Sequence, residues 1–141
     1  MAKAILLAED LEDDAAFLRR VLEKAGVANP IVIVRDGVEA IAYLKGEGEF
    51  SDRQKFPIPG ILFLDLKMPG KGGFEVLEWL KHQAEWKDLL IVVVSGYDEL
   101  REIKRAYALG AHTFLVKPCK QEDIANLVKS FQGRWNHSGP P

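Results

Sequence analysis

Five short apolar runs punctuate the chain: Ile5–Ala8, Ile31–Val34, Ile61–Leu64, Leu89–Val94 and Phe114–Val116. They are rich in Ile, Val and Leu and lack the polar alternation of a strand with one wet face. Runs of this kind predict strands buried on both faces of a parallel sheet. The segments between them carry helical spacing instead. Leu18, Val21, Leu22 and Ala25 fall at i, i+3, i+4 and i+7, and Gly26 then offers a stop. Ile124, Leu127, Val128 and Phe131 repeat that spacing near the end of the chain. Asp36 with Glu39 has the form of a capping box opening a second helix, and Asp98 is placed to cap a fourth. A third helix fits Gly73 to about Gln83. Strand and helix thus alternate five times, which predicts a doubly wound α/β sandwich. The polar stretch Gly46–Pro59 reads as a surface excursion after the second helix.

Polar residues gather where the strands end. Glu9 and Asp10 follow the first, Asp65 follows the third, Ser95 closes the fourth, and Lys117-Pro118 follows the fifth. Ligands of open α/β sheets bind outside the carboxyl ends of strands, where the strand order reverses. By fold analogy the order is 2-1-3-4-5, which brings Glu9, Asp10 and Asp65 to one crevice with Ser95 and Lys117 beside it. Taken singly, each residue has a plainer explanation. Glu9 and Asp10 suit a helix start, Asp65 and Ser95 suit turns, and Lys117 suits a solvated surface. Their joint occurrence at the same end of four strands is what points to a site.

The chemistry of such a site is constrained. Like-charged carboxylates at about 4 Å repel by on the order of 4 kcal/mol per pair at an effective dielectric of 20. A cation must offset that, and all-oxygen ligands suit Mg²⁺. With the Lys117 ammonium and the Ser95 hydroxyl nearby, the carboxylate of Asp65 is set up to receive a phosphoryl group. Such transfer is mostly positioning and neutralisation of oxygen charge.

Composition removes several other classes. The chain has 141 residues, 48% hydrophobic and 28% charged, which suits one globular domain with a proper core. Nineteen basic against 21 acidic residues give a net charge of -2, so bulk charge makes no case for nucleic acid. A lone cysteine, Cys119, cannot form an intrachain disulfide and has no activating partner in the sequence. The longest apolar run is far below the roughly 20 residues that span a bilayer, and the start lacks the form of a signal peptide. A cytoplasmic location is the expectation. His82, His112 and His137 lack mutual metal spacing and read as surface or packing residues. Trp79 and Trp86 read as packing or loop residues. Trp135 lies near the tail, and Tyr97, following Ser95, suits either site access or packing.

The motifs together resemble the receiver domain of two-component response regulators. They are Ile5-Leu6-Leu7-Ala8-Glu9-Asp10, Leu62-Phe63-Leu64-Asp65-Leu66-Lys67-Met68-Pro69 with Gly73, Val94-Ser95-Gly96, and Phe114-Leu115-Val116-Lys117-Pro118. Asp65 to Ser95 is 30 positions and Ser95 to Lys117 is 22, as the family pattern expects. The resemblance implies a flavodoxin-like (βα)5 sandwich with a parallel five-stranded sheet. It implies that Asp65 is the phosphoacceptor, taking its phosphoryl group from a phosphohistidine of a sensor histidine kinase or a histidine phosphotransfer protein. Asp10, Asp65 and the backbone carbonyl of Lys67 would ligate Mg²⁺ directly, with Glu9 acting partly through water. Lys117 would pair with the phosphoryl group and Ser95 would hydrogen-bond one of its oxygens. Phe114 holds the place of the aromatic switch that turns inward when Ser95 moves, and Lys117-Pro118 that of a cis peptide.

The sequence departs from the family pattern in places. Glu9 replaces the commoner aspartate, Phe114 lacks the hydroxyl of a tyrosine, and Lys67 sets a second cation beside the acceptor. Gly96, the small residue after Ser95, should leave the acceptor open to water and partner. The long Gly46–Pro59 segment and the short chain are similar to the single-domain regulators paired with phytochrome-type photoreceptor kinases.

The implied organisation is a receiver over residues 1–132 and a flexible tail over 133–141, without an output domain. The implied function is a switch that signals through protein contacts and catalyses only its own Mg²⁺-dependent phosphorylation and dephosphorylation. Its partners would be the kinase, a downstream protein, and a second copy docking through the fourth and fifth helices and last strand, with neither nucleic acid nor membrane. Three other classes fit less well. An aspartyl-phosphate hydrolase of the haloacid dehalogenase type needs an acid where Lys67 stands. A flavodoxin-like flavin binder needs hydroxyls and glycines where Glu9 to Asp14 place acids. A receiver that is never phosphorylated usually lacks the acceptor, an acid or the lysine, all of which are present.

Overall fold

The computed structural model describes residues 3–96 and 99–135. Five strands are seen there: β1 (Ala4–Ala8), β2 (Ile31–Val34), β3 (Pro59–Leu64), β4 (Leu90–Ser95) and β5 (Thr113–Val116). They alternate with α1 (Glu12–Lys24), α2 (Gly37–Lys45), α3 (Gly73–Lys81), α4 (Leu100–Ala108) and α5 (Gln121–Trp135). The strands form one sheet in the order β2-β1-β3-β4-β5, with every neighbouring pair parallel. Strand bounds match the apolar runs to within two residues.

The period-2 geometry of a strand divides the core in two. Leu6, Ala8, Leu62, Leu64, Ile91 and Val93 point to one face, where α2, α3 and α4 cover them. Ile5, Leu7, Ile61, Phe63, Val92 and Val94 point to the other, under α1 and α5. The central strands β1, β3 and β4 are buried almost throughout, which is why their sequences show no alternation.

Helix α1 buries Leu18, Val21 and Leu22, as its spacing predicts, and ends before Gly26, whose φ is +91°. Its first turn holds Glu12, Asp13 and Asp14 without a side-chain cap, and negative charge there is favoured by the helix dipole. At the start of α2, Asp36 accepts the Glu39 N–H at 2.8 Å. The return half of the expected box lands one residue earlier, because Glu39 accepts from the Arg35 N–H at 2.8 Å.

The structure refines several of these expectations. The stretch Gly46–Pro59 is exposed over most of its length, as a surface excursion should be, and aromatic packing anchors it. Its Phe50 is buried, the rings of Tyr43, Phe50 and Phe56 lie 5.0 to 6.0 Å apart, and the Tyr43 hydroxyl donates to the Pro57 carbonyl at 2.8 Å. Helix α3 ends at Lys81 and a short 3-10 turn over Ala84–Trp86 follows. Helix α5 runs to Trp135, so the boundary expected after residue 132 falls inside it. Asp98 lies outside the described residues, as do Tyr97 and the chain from 136, and α4 begins after Glu99. His112 is a surface residue that hydrogen-bonds the backbone of β4. Its Nδ1 accepts the Ile91 N–H at 3.0 Å while its own N–H donates to the Ile91 carbonyl at 2.8 Å.

Candidate functional site

Strand register brings the acids together. The Asp65 N–H donates to the Ala8 carbonyl at 3.0 Å, and the Glu9 N–H donates to the Val34 carbonyl at 2.9 Å. The chain therefore leaves β1 and β3 at the same level, and Glu9, Asp10 and Asp65 emerge side by side. One carboxylate oxygen from each lies within 4.8 Å of the others. Helix α3 is drawn tight against this turn. A Cβ on Gly73 would sit 2.5 Å from the Asp65 carbonyl oxygen, so only glycine lets the helix begin there.

Burial makes the arrangement costly. Glu9 is 7% exposed and Asp65 5%, yet both are carboxylates. Lys117 reaches across from the end of β5 and offsets part of that charge. Its Nζ donates to Glu9 Oε1, to Asp14 Oδ2 at 2.9 Å and to Asp65 Oδ2 at 3.1 Å. The other Asp65 oxygen, Oδ1, accepts the Lys67 N–H at 3.1 Å. Glu9 is raised to about 7, first by burial and then by the adjacent Asp65, while Lys117 holds it back. Burial alone would lower Lys117, but its carboxylate partners outweigh that and hold the ammonium above its usual value.

The cluster retains unmet bonding capacity. Asp10 Oδ1 is buried and has no hydrogen-bond partner among the described residues. A buried, orphaned carboxylate oxygen beside two further acids is what a hard divalent cation would satisfy. The donor set fits such an ion.

Ser95 is fully buried at the end of β4, and its carbonyl accepts the Lys117 N–H at 2.8 Å. Phe114 lies one strand further out on β5, half-buried against the α2–α4 face of the core. Its N–H donates to the Tyr107 hydroxyl at 3.1 Å, which ties the edge strand to α4. The Lys117-Pro118 peptide is cis. Cys119 is buried beneath the site and burial pushes its thiol up to about 11, in keeping with an inert packing residue.

Two residues join the site that the sequence reading passed over. Asp14, in the first turn of α1, is the third partner of Lys117. Its signal was its place four residues after Asp10, at the start of a helix leading away from the crevice. Glu102, on α4, pairs with Lys67 at 3.7 Å and links the acceptor loop to that helix. It carried no signal, because nothing in a sequence of exposed charges marks which one faces a distant loop.

The same architecture is found in known proteins. The profile of the response regulator receiver domain matches residues 5–129. The chain belongs to the response regulator receiver family. Among its relatives, the response regulator Rcp1 of Synechocystis is 30% identical over 133 residues, spanning 94% of this chain and 88% of that protein. The phosphorylated cyanobacterial phytochrome response regulator RcpA superposes with a TM-score of 0.79 at 32% identity, covering 96% of this chain and 94% of that one. RPA3017, a response regulator in red light signalling of R. palustris, gives a TM-score of 0.81 at 30% identity, covering 99% of each chain. Rcp1 has also been solved in a Mn²⁺-bound form.

The receiver is thus similar to phytochrome response regulators, as its long Gly46–Pro59 segment and chain length implied. Receivers accept a phosphoryl group on an aspartate, bind a divalent metal, and interact with a histidine kinase or phosphotransfer partner. Among the described residues, no helix is long and apolar enough to cross a membrane.

Proposed function

We propose that Asp65 is the phosphoacceptor of this receiver and that it takes its phosphoryl group from a phosphohistidine of a histidine kinase or phosphotransfer protein. The observation that carries this reading is the meeting of Lys117 Nζ with Asp65 Oδ2, next to an orphaned Asp10 oxygen. An Asp65 carboxylate oxygen attacks phosphorus, the phosphorus–nitrogen bond breaks, and the donor imidazole keeps the electron pair. Asp65 then carries an acyl phosphate. The Lys67 N–H holds Oδ1, which orients the carboxylate for that attack. In the modified state Lys117 pairs with a phosphoryl oxygen, and the Ser95 hydroxyl donates to another.

Mg²⁺ is the cation proposed, held by Asp10, Asp65, Glu9 and the Lys67 backbone carbonyl, and it supplies neutralisation of charge on the phosphoryl oxygens. Phosphorylation replaces one negative charge with up to about two. The demand for Lys117 and Ser95 then biases a pre-existing equilibrium, with Phe114 repacking between β5 and α4. Helix α4 and strand β5 expose Leu100, Tyr107 and Val116, which suits a face docking a downstream protein or a second copy. The receiver performs its own phosphorylation and dephosphorylation and no further reaction.

The test is intact mass after treatment with acetyl phosphate and Mg²⁺. A labile phosphoryl adduct is expected, and Asp65→Asn should abolish it. An adduct that survives the substitution would sink the assignment.

A further inference from the structure

The grip on Lys117 limits what the site can do next. An ammonium has three N–H donors. All three are engaged by carboxylates, on Glu9, Asp14 and Asp65. Lys117 cannot add a phosphoryl oxygen to its partners without releasing one of them.

The three carboxylates differ in how readily they let go. The side chains of Glu9 and Asp65 are 8% and 6% exposed, whereas that of Asp14 is 38% exposed. A carboxylate that already touches water regains its hydration at the least cost, and a buried one loses its ion partner without that gain. Asp14 also stands outside the group formed by Glu9, Asp10 and Asp65. Its release leaves those three acids where they are.

We propose that Asp14 is a positioning residue for the acceptor reaction. It holds the Lys117 ammonium while Asp65 is a free carboxylate and yields that donor to a phosphoryl oxygen once Asp65 is modified. The inference rests on the reading of Asp65 as acceptor. In this arrangement Asp14 competes with the phosphoryl group, so it weakens the modified state and favours return to the free one. Its release also returns a bare carboxylate to the first turn of α1, beside the exposed ring of Phe17. The modified and free states then differ in whether that carboxylate is paired as well as in the charge at Asp65.

Beryllofluoride, a non-covalent mimic of the phosphoryl group, tests this in Mg²⁺ by titration calorimetry. Asp14→Asn is expected to bind it about three- to ten-fold more tightly than the wild-type chain, because Lys117 gains a free donor. Asp13→Asn is the control for charge alone. Asp13 lies in the same turn, is exposed, and is not among the ion-pair partners of Lys117. It should shift affinity by less than about two-fold, since exposed charges are well screened. Asp14→Glu, which still reaches Lys117, should restore wild-type affinity. Thermal unfolding checks that each variant is folded, and Asp14→Ala replaces any that is not. Affinity for Asp14→Asn that is unchanged, weaker, or no different from Asp13→Asn overturns the proposal. Failure of the wild-type chain to bind the probe, or equal binding by Asp65→Asn, overturns the acceptor reading instead.

Discussion

The two ends of the sheet are both well buried, and they use burial in opposite ways. At the amino end, where α2 returns to β3, Phe56 packs edge to face on Tyr43 and Phe50, those two rings tilt against each other, and the Tyr43 hydroxyl has its acceptor on Pro57. None of the three rings carries an unmet polar atom, and their packing stabilises the fold. At the carboxyl end, Glu9 and Asp65 are buried at similar depth, but as like charges sharing one ammonium, with an Asp10 oxygen unmet. Repulsion held at one end is tolerable because the other end and the two apolar layers stabilise the chain independently. A binding site of this kind is a region kept short of its own best energy until a ligand completes it.

Disturbing each end separately should expose that division. Phe50→Ala removes a buried ring from the aromatic end and is expected to lower stability by about 3–4 kcal/mol. Phosphorylation from acetyl phosphate should persist in the fraction that remains folded. Chemical denaturation with intact-mass analysis checks both. Loss of the adduct at a temperature where the variant is fully folded would mean the two ends are coupled.

The carboxyl end should respond to pH and to metal. The folded-state value of Glu9 is raised to about 7 from an ordinary 4.5. A raised value means the folded chain holds that proton more firmly than the unfolded chain does. Its contribution to stability is therefore full below about pH 4.5 and is lost as pH rises through about 7. Without metal, the melting temperature of the wild-type chain should fall across that window, and Glu9→Gln should flatten the fall by a few degrees. Divalent metal should restore the wild type above pH 7 and do less for the variant. A metal-free chain that grows more stable across the window would contradict this account.

The smallest effect is expected at the Lys67–Glu102 pair, where Lys67 is 56% exposed. Lys67→Ala should change folding stability by about 1 kcal/mol or less, because the Lys67 end of this 3.7 Å pair is solvated. A larger loss in denaturation would show that the acceptor loop and α4 are joined more firmly than one half-solvated ion pair allows.

Much of the site was legible because it is written at strand ends. Glu9, Asp10, Asp65, Ser95 and Lys117 each follow an apolar run that can only be a buried strand, and parallel pairing sends all those ends one way. Asp14 was not legible in that manner. It sits in an acidic helix start, where the dipole explains its charge without reference to Lys117, 103 positions away. Phe50 and Phe56 escaped for a similar reason, since two aromatics in an otherwise polar stretch show no period until Tyr43 is seen between them. The end of α3 and the continuation of α5 to Trp135 depended on where neighbouring elements pack, which local spacing underdetermines.

The sequence by itself determined the alternation of strand and helix, the two-layer core and the identities of the acids and the lysine. Those follow from periodicity and residue type, which are local properties of the chain. Only the tertiary structure decided which carboxylates Lys117 holds, that Asp10 Oδ1 is left without a partner, and that Gly73 lets α3 close on the acceptor turn. Those depend on distances between segments far apart in the chain. A hydrogen bond about 0.5 Å too long is largely lost, and no spacing rule along a sequence resolves positions that finely.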